Sequence, residues 1–477
     1  MRETEQAAVN DFLDSAVPRP LLGLVYGRRR IGKSTMLVRE VEKRNGFYFE
    51  AIKVSTPTQL ERLGDALGRF LGVGRLALAN WEEGIRSVLD IGRDRQVPAV
   101  LDEFGYITDA EPSIESVIAA TFGPGAQHDT KNRTRLILCG SAMSVMRSLT
   151  SGQAPLRGRA SLELVMQPDD FRSASQRLPP GYELDTAIRV FSVIGGVVGY
   201  ATDMVNFDLP TTSCDFDRWL TDRILSPAAT LHYEATTLLA EDPYLTGRSA
   251  LLYNSLLGTI ANGSVTAGVI SKKMGRPVSN IDPLVRRLIE AGFVVRHKDP
   301  IREKRPLYAL SDPFLQFHYA ILEPHGPSLR GRDPSQLWMS RLKQIFDSQV
   351  RGPVFAEVAR TWVTSFASDT TLPVRDHVGP SYVNVDGTDH QIDVLVAQHN
   401  ETPAKRKIVA IGGAKAGERL TVSHLRKLER YRAAFGLAAT EAKLLLFGSD
   451  ADKRLSSEAD TRLDVEIIDL TRLYQGS

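Results

Sequence analysis

The sequence predicts an α/β protein whose first part is a parallel sheet, and three observations predict it. Short apolar runs alternate with amphipathic helical segments up to about residue 165, a glycine-framed loop joins the first run to a helix, and a later run ends in two adjacent acids. The strand candidates are Leu21 to Tyr26, Phe47 to Ile52, Pro98 to Leu101, Arg135 to Cys139 and Leu162 to Val165, with helices such as Thr58 to Phe70 and Trp81 to Ile91 between them. From 166 to 245 the strand signal fades into helical text with scattered Gly and Pro, as in a small helical lid. Residues 246 to 325 read as helices followed by a strand pair. Glu323 to Asp333, rich in Pro, Gly and Arg, reads as a linker that extends over 326 to 339. Residues 340 to 477 return to a mixed pattern: a helix, strands His390 to Ala397 and Lys407 to Ile411, a helix, then strands Ala442 to Phe447 and Val465 to Ile468.

Composition sets the bounds. A chain of 477 residues predicts two to four domains, and 24% charged against 42% hydrophobic residues is the balance of a soluble globular protein. The apolar runs Val193 to Tyr200 and Leu444 to Phe447 fall well short of the roughly 20 residues a bilayer crossing needs. Met1 to Glu5 is polar and acidic and lacks a secretory pattern. Cys139 and Cys214 are the only cysteines, which argues for a reducing cytoplasm and against a disulfide framework. A net charge of +2 makes any basic surface a local one.

The loop runs Gly27-Arg28-Arg29-Arg30-Ile31-Gly32-Lys33-Ser34 between the run Leu21 to Tyr26 and the helical segment Thr35 to Lys43. Gly27 and Gly32 let the backbone curl so that successive N–H groups and a helix start face an anion. Lys33 is positioned to reach the β- and γ-phosphates of ATP and Ser34 to join an Mg²⁺ shell, with Arg30 and Thr35 completing the nucleotide-binding set. Hydrolysis needs a group to hold the metal and one to orient water. The run Val97 to Leu101 ends in Asp102 and Glu103, which suit those two roles respectively. The next run ends in Gly140-Ser141, where a small hydroxyl suits a γ-phosphate sensor. In Pro155-Leu156-Arg157-Gly158-Arg159, Arg159 is the first candidate to neutralise phosphoryl charge and Arg157 the second.

Ser264 to Met274 reads as a helix that Gly275 breaks, and Ser279 to Ala291 as a second helix capped by Ser279 or Asn280. Phe293 to Arg296 and Leu307 to Leu310 fit two wing strands around the charged loop His297 to Arg305, the layout of a winged helix-turn-helix. From Ile270 to Arg305 ten Lys and Arg stand against four Asp and Glu, so the chain's positive charge concentrates here. Lys272, Lys273, Arg276, Arg286 and Arg287 are the predicted contacts to duplex DNA.

The string Tyr26 to Ser34, the strand end Leu101-Asp102-Glu103-Phe104, and Leu138-Cys139-Gly140-Ser141 with Gly158-Arg159 resemble the archaeal-type ATPases of the AAA+ and signal-transduction assemblage. The resemblance spans nearly the whole chain. It implies an ATPase core, a helical lid, a winged helix and a C-terminal domain similar to restriction-endonuclease-like nucleases. Three positions depart from the family pattern. The chain begins at Met1-Arg2-Glu3, inside the motif that relatives keep near adenine, and Val198 stands where they commonly carry proline. In the C-terminal domain the resemblance implies an order of a helix with Phe355 and Glu357, a metal aspartate at Asp393, Lys415, and the helix Ser423 to Phe435. Gly413, however, stands where the second acid belongs. A lone carboxylate predicts a pseudonuclease or binding module.

The expected fold is thus a P-loop NTPase sheet (1–165) with a helical lid (166–245), a winged helix (246–325) and a mixed α/β nuclease-like domain (340–477). The expected function is a cytoplasmic, ATP-hydrolysing regulator or defence-type protein that contacts DNA and uses Mg²⁺. One alternative is a signalling scaffold whose ATP turnover switches homo-oligomerisation or protein binding, and another is an ATP-dependent nuclease.

Overall fold

The computed structural model describes residues 3–123, 131–261, 263 and 265–477. Met1, Arg2 and Ser264, which entered the sequence reading, lie outside the described residues. The chain divides into two compact units: Met1–Pro168 with Leu238–Thr246 and Glu290–Gly292, and the remainder, Asp169–Thr237, Gly247–Ile289 and Phe293–Ser477. The division follows packing: the second unit takes residues 169–237 of the predicted lid, most of the helix pair and the C-terminal region, while 238–245 of the lid fall in the first.

In the first unit β1 (Leu21–Tyr26), β2 (Phe47–Glu50), β3 (Val97–Asp102), β4 (Thr134–Gly140) and β5 (Ala160–Val165) form one parallel sheet in the order β2-β3-β4-β1-β5. Every residue of β1, β3 and β4 is buried, as a parallel sheet covered on both faces requires. Leu22, Leu24, Leu101, Leu136 and Leu138 join Leu60, Leu63, Trp81 and Ile85 of the flanking helices in one core. The predicted strand Phe47 to Ile52 stops at Glu50: the Ala51 N–H makes the last bond to β3, at Asp102 O, and Ile52 beyond it is exposed. Arg135, fully buried at the start of β4, donates to the carbonyls of Ser15, Val17 and Arg19. That triple contact fastens the segment after the first helix, Glu3–Leu13, to the sheet.

The second unit opens with helices, as read. Helix Ala267–Met274 ends at Gly275, whose φ of 61° serves the left-handed turn of a helix C-cap. Helix Val278–Glu290 begins earlier than predicted: Pro277 presets the backbone, so Ser279 and Asn280 lie inside the first turn instead of capping it. The antiparallel pair β6 (Val294–His297) and β7 (Leu307–Leu310) follows, and Val265 bridges to Tyr308 as a third, minimal strand.

The predicted linker is helical. Residues Glu323–Gly331 form a helix that follows a π-turn, His318–Leu322, with Pro324 in its first turn, where proline is tolerated, and Pro327 inside it. Buried Leu329, Leu337 and Trp338 hold this stretch in place, so packing overrides the Pro/Gly signal. The C-terminal sheet runs β12-β11-β10-β9-β8, with β8 (His377–Val385), β9 (Thr388–Ala397), β10 (Ile408–Leu420), β11 (Lys443–Ala451) and β12 (Val465–Ile468). Strand β8 escaped the sequence reading. Strand β10 was read as ending at Ile411, yet it runs on through Gly412, where a Cβ would approach Val394 Cβ to 2.9 Å. That glycine fits a tightly packed sheet and does not end the strand. Among the described residues no helix is long and apolar enough to cross a membrane.

Candidate phosphate-binding site

Strand β1 delivers the chain to the loop and the helix Lys33–Lys43 takes it away. A Cβ on Gly27 would lie 2.4 Å from Met166 O and 2.5 Å from Ile31 Cδ1, so only glycine allows this close approach to the end of β5. Gly32 caps the helix at φ 92°, and a Cβ there would meet nothing within 4 Å: the open side of the loop is at Gly32. No side chain caps this helix start, which leaves first-turn N–H groups directed at that opening. Lys33 is buried and its Nζ donates to Arg28 O at 2.9 Å, folding the ammonium back across the loop. Arg30, at φ 65°, forms the bend between the glycines, and Ser34 and Thr35 are exposed on the first turn. Arg29 points away, in an ion pair with Glu241.

Two strands over, β3 ends in the acids. Asp102 is buried, which pushes its carboxyl up, but hydrogen bonds from Cys139, Ser34 and Tyr48 and from the Glu103 N–H outweigh burial and hold it below the ordinary range. The Ser34 hydroxyl of the loop is thus among the groups that favour the charged form of Asp102. Cys139 has its thiol pushed well up by burial and then by Asp102, which keeps it a neutral donor. Glu103 adopts φ 50°, a left-handed conformation rare for a non-glycine residue. Its Oε2 accepts from Ser141 Oγ at 3.0 Å. Strand β4, which carries Ser141, lies between β3 and β1, and its register sets Gly140 against Tyr26. The loop, Ser141 and the acids thus line up along the carboxyl ends of three adjacent strands, where ligands of open α/β sheets bind.

Tyr48 was missed. Its hydroxyl donates to Asp102 Oδ2 at 2.6 Å, and burial, then Asp102, pushes its own ionisation up. The alternating Phe47-Tyr48-Phe49-Glu50 was the available signal, but only the β2-β3 pairing identifies its partner.

Arg159 requires correction as a group of the same chain's site. It precedes β5, which runs parallel to β1, so it stands at the amino end of the sheet, opposite the loop. Its Nε donates to Pro155 O at 2.9 Å, and Arg157 likewise bonds Gly152 O at 2.7 Å.

The five predicted DNA-contacting residues separate into groups. Lys272, Lys273 and Arg276 are exposed at the end of the first helix of the pair, and Arg286 and Arg287 are exposed on the second. Arg287 is tied to Tyr253 OH at 3.2 Å. Lys273 lines a polar cavity of about 500 Å³ with Tyr319, His325 and Arg341. The predicted wing loop is fastened to the C-terminal sheet: Ser381 Oγ donates to Asp299 Oδ2 at 2.9 Å, Arg406 donates to Pro300 O at 2.8 Å, and Ile301 packs on the C-terminal core. In that domain Glu357 is engaged by Arg360 at 2.5 Å, and Asp393 Oδ2 accepts the Ala414 N–H at 2.9 Å.

No family model matches the chain. An uncharacterized Methanocaldococcus jannaschii protein is 24% identical over 381 residues, covering 78% of this chain and 79% of that protein. Among solved structures, the Walker-type ATPase of Pyrococcus abyssi shares 18% identity at a TM-score of 0.48, over 67% of this chain and 96% of that one. The ORC2 protein of Aeropyrum pernix shares 14% at 0.39, over 71% and 95%. All of these scores fall below 0.5, so the case for the site rests on this chain's own geometry.

Proposed function

We propose that the chain binds ATP with Mg²⁺ at the loop Gly27 to Ser34 and hydrolyses it, and that nucleotide state governs contact between the helix pair Ala267–Met274 and Val278–Glu290 and duplex DNA. One observation carries the first part: an open, uncapped phosphate loop on β1 and a buried, hydrogen-bonded Asp102 and a tethered Glu103 stand at the carboxyl ends of neighbouring strands, with Ser141 between them. Backbone N–H groups and Lys33 hold the phosphates, and Ser34 and Asp102 hold the metal. Bound Mg²⁺ would neutralise charge on the β- and γ-phosphate oxygens. Glu103 polarises the attacking water once its carboxylate leaves Ser141. Labelled-ATP binding and steady-state phosphate release test this on Lys33→Ala and Glu103→Gln. The first variant is expected to lose binding, the second to keep binding and lose turnover. Undiminished turnover in Glu103→Gln would remove that residue from the chemistry.

The second reading, a scaffold that switches protein contacts, is favoured by the fastening of the wing loop through Asp299, Pro300 and Ile301, which leaves less of it for a DNA groove. Salt-dependent retention on duplex DNA separates the two readings.

A further inference from the structure

A cavity of about 500 Å³ lies within the second unit, a volume in the range of small-molecule sites. Its walls come from the helices Ala250–Ile260 and Ala267–Met274 and from the helical stretches 313–331 and 334–365. Both of the longer stretches are widened by π-turns, and three of these turns carry lining residues. His318–Leu322 presents Tyr319, Trp338–Leu342 presents Arg341, and Phe346–Arg351 presents Gln349. A π-turn holds an extra residue, which rotates the side chains beyond it about the helix axis, and such turns recur at functional sites.

The charged groups on these walls do not satisfy one another. Lys273, Glu323 and Arg341 all line the cavity, yet none of them makes a hydrogen bond or ion pair among the described residues. Burial and then the Arg341 charge hold His325 below its ordinary range, so it adds no charge at neutral pH. Two cations therefore stand against one carboxylate. The Tyr319 hydroxyl donates to Asn254 Oδ1 at 2.7 Å, which leaves the Asn254 amide N–H₂ as a donor for another partner. Ser255 Oγ and Thr259 Oγ1 direct their protons to the carbonyls of Leu251 and Ser255, both at 2.9 Å, so each oxygen offers lone pairs. No Phe or Trp lines the space and the Tyr319 ring is buried, so there is no broad ring face for a planar base to stack on.

We propose that this cavity binds a small phosphorylated, hydroxyl-bearing molecule of sugar-phosphate size, with Lys273 and Arg341 on the phosphate and Glu323, Asn254, Ser255 and Thr259 on the hydroxyls. Glu323 decides the class. Toward a bare anion a carboxylate only repels, whereas beyond ion-pair distance of both cations it accepts from a hydroxyl elsewhere on the ligand. The site is independent of the phosphate loop, which belongs to the first unit.

The test uses the full chain carrying Lys33→Ala, which silences the phosphate loop and keeps the outcome separate from that of the ATPase reading. Glucose 6-phosphate, glucose, inorganic phosphate and AMP are titrated calorimetrically. Glucose 6-phosphate is expected to bind more tightly than the other three. Lys273→Ala and Arg341→Ala are each expected to weaken it about tenfold, the size of a lost charged hydrogen bond. Glu323→Ala should cut its advantage over inorganic phosphate by a similar factor, a change of preference that a general loss of structure would not produce. All three side chains are exposed, so these variants are expected to fold. Absence of glucose 6-phosphate binding overturns the proposal, as does binding that both cation variants leave unchanged. Equal binding of inorganic phosphate also overturns it, by reducing the site to an adventitious anion only, and tighter binding of AMP overturns the sugar-phosphate class in favour of a nucleotide.

Discussion

Two glycines of the phosphate loop are expected to fail in different ways when each is given a methyl group. At Gly27 the added Cβ lies 2.4 Å from Met166 O, a backbone atom held by the Met166 N–H bond to Tyr26 O, and 2.5 Å from Ile31 Cδ1. The first of these neighbours cannot rotate away, so β5 or the loop must shift, at about 3 kcal/mol or more, the upper end of overpacking costs. At Gly32 the methyl meets nothing within 4 Å, and the cost is the conformational one of φ 92°, about 1–2 kcal/mol. That methyl enters the opening that the phosphates are expected to fill. Thermal melting with and without ATP and Mg²⁺ separates the two effects. A ligand at a hundred times its Kd adds about 2.7 kcal/mol to the wild type. Gly32→Ala should melt only a few degrees low, since a domain of this size loses about 2–4 °C per kcal/mol, and should lose most of the ATP increment. Gly27→Ala should melt roughly twice as far below wild type. Full ATP stabilisation of Gly32→Ala, or wild-type melting of Gly27→Ala, would refute the account of the loop.

Three further outcomes are expected. Tyr48→Phe removes a donor at 2.6 Å from a buried carboxylate, a bond worth about 1.5–3 kcal/mol, and should move the acid limb of the ATPase pH profile upward; an unmoved limb would exclude Tyr48 from setting Asp102. His318 is buried and held down to about 4, first by burial and then by the charge of His232. Since its folded value lies below the ordinary 6.5, it contributes stability above about pH 6.5 that is lost as pH falls toward 4, and His318→Phe should flatten that part of a denaturation series. Lys272→Ala, Arg276→Ala and Arg286→Ala should each lower the salt slope of duplex binding by about one, whereas Arg287→Ala should chiefly cost stability through Tyr253; equal behaviour of all four would discount the separation.

What the sequence made legible was local. The glycines, lysine and hydroxyl of the loop sit within eight consecutive residues, and Asp102 and Glu103 follow an apolar run directly, so no tertiary information was needed to find them. The partners of those groups were not local. Tyr48 reaches Asp102 because β2 happens to neighbour β3, and Ser141 reaches Glu103 because β4 is inserted beside β3. Arg159 shows the same limit from the other side: a glycine-flanked arginine is visible in the sequence, but which end of the sheet it occupies is fixed only by the parallel direction of β5. Strand β8 was hidden by Gly379 and Pro380. Its hairpin signal, Asp386-Gly387 with φ of 52° and 82°, was nonetheless present and matches the two-residue turn such strands use.

The conformation of Glu103 ties the site's chemistry to its architecture. A left-handed backbone at a residue with a Cβ costs about 1–2 kcal/mol and persists only where its surroundings over-determine it. Here they do so from three directions. The Glu103 N–H is held by Asp102 Oδ1 at 2.8 Å, its carboxylate by Ser141 at 3.0 Å, and the following residue, Phe104, is fully buried at the start of the helix Phe104–Ala110. In a straight continuation of β3 the Glu103 side chain would stand out from one face of the sheet. The turn instead brings it to Ser141 beyond β4, so that one carboxylate of the adjacent pair is held by Tyr48 and the other by Ser141. Two chemically identical groups, neighbours in sequence, thereby acquire different partners and different freedom. Asp102 is locked by several donors, whereas Glu103 is held at its carboxylate by one hydroxyl that a phosphate oxygen could compete for.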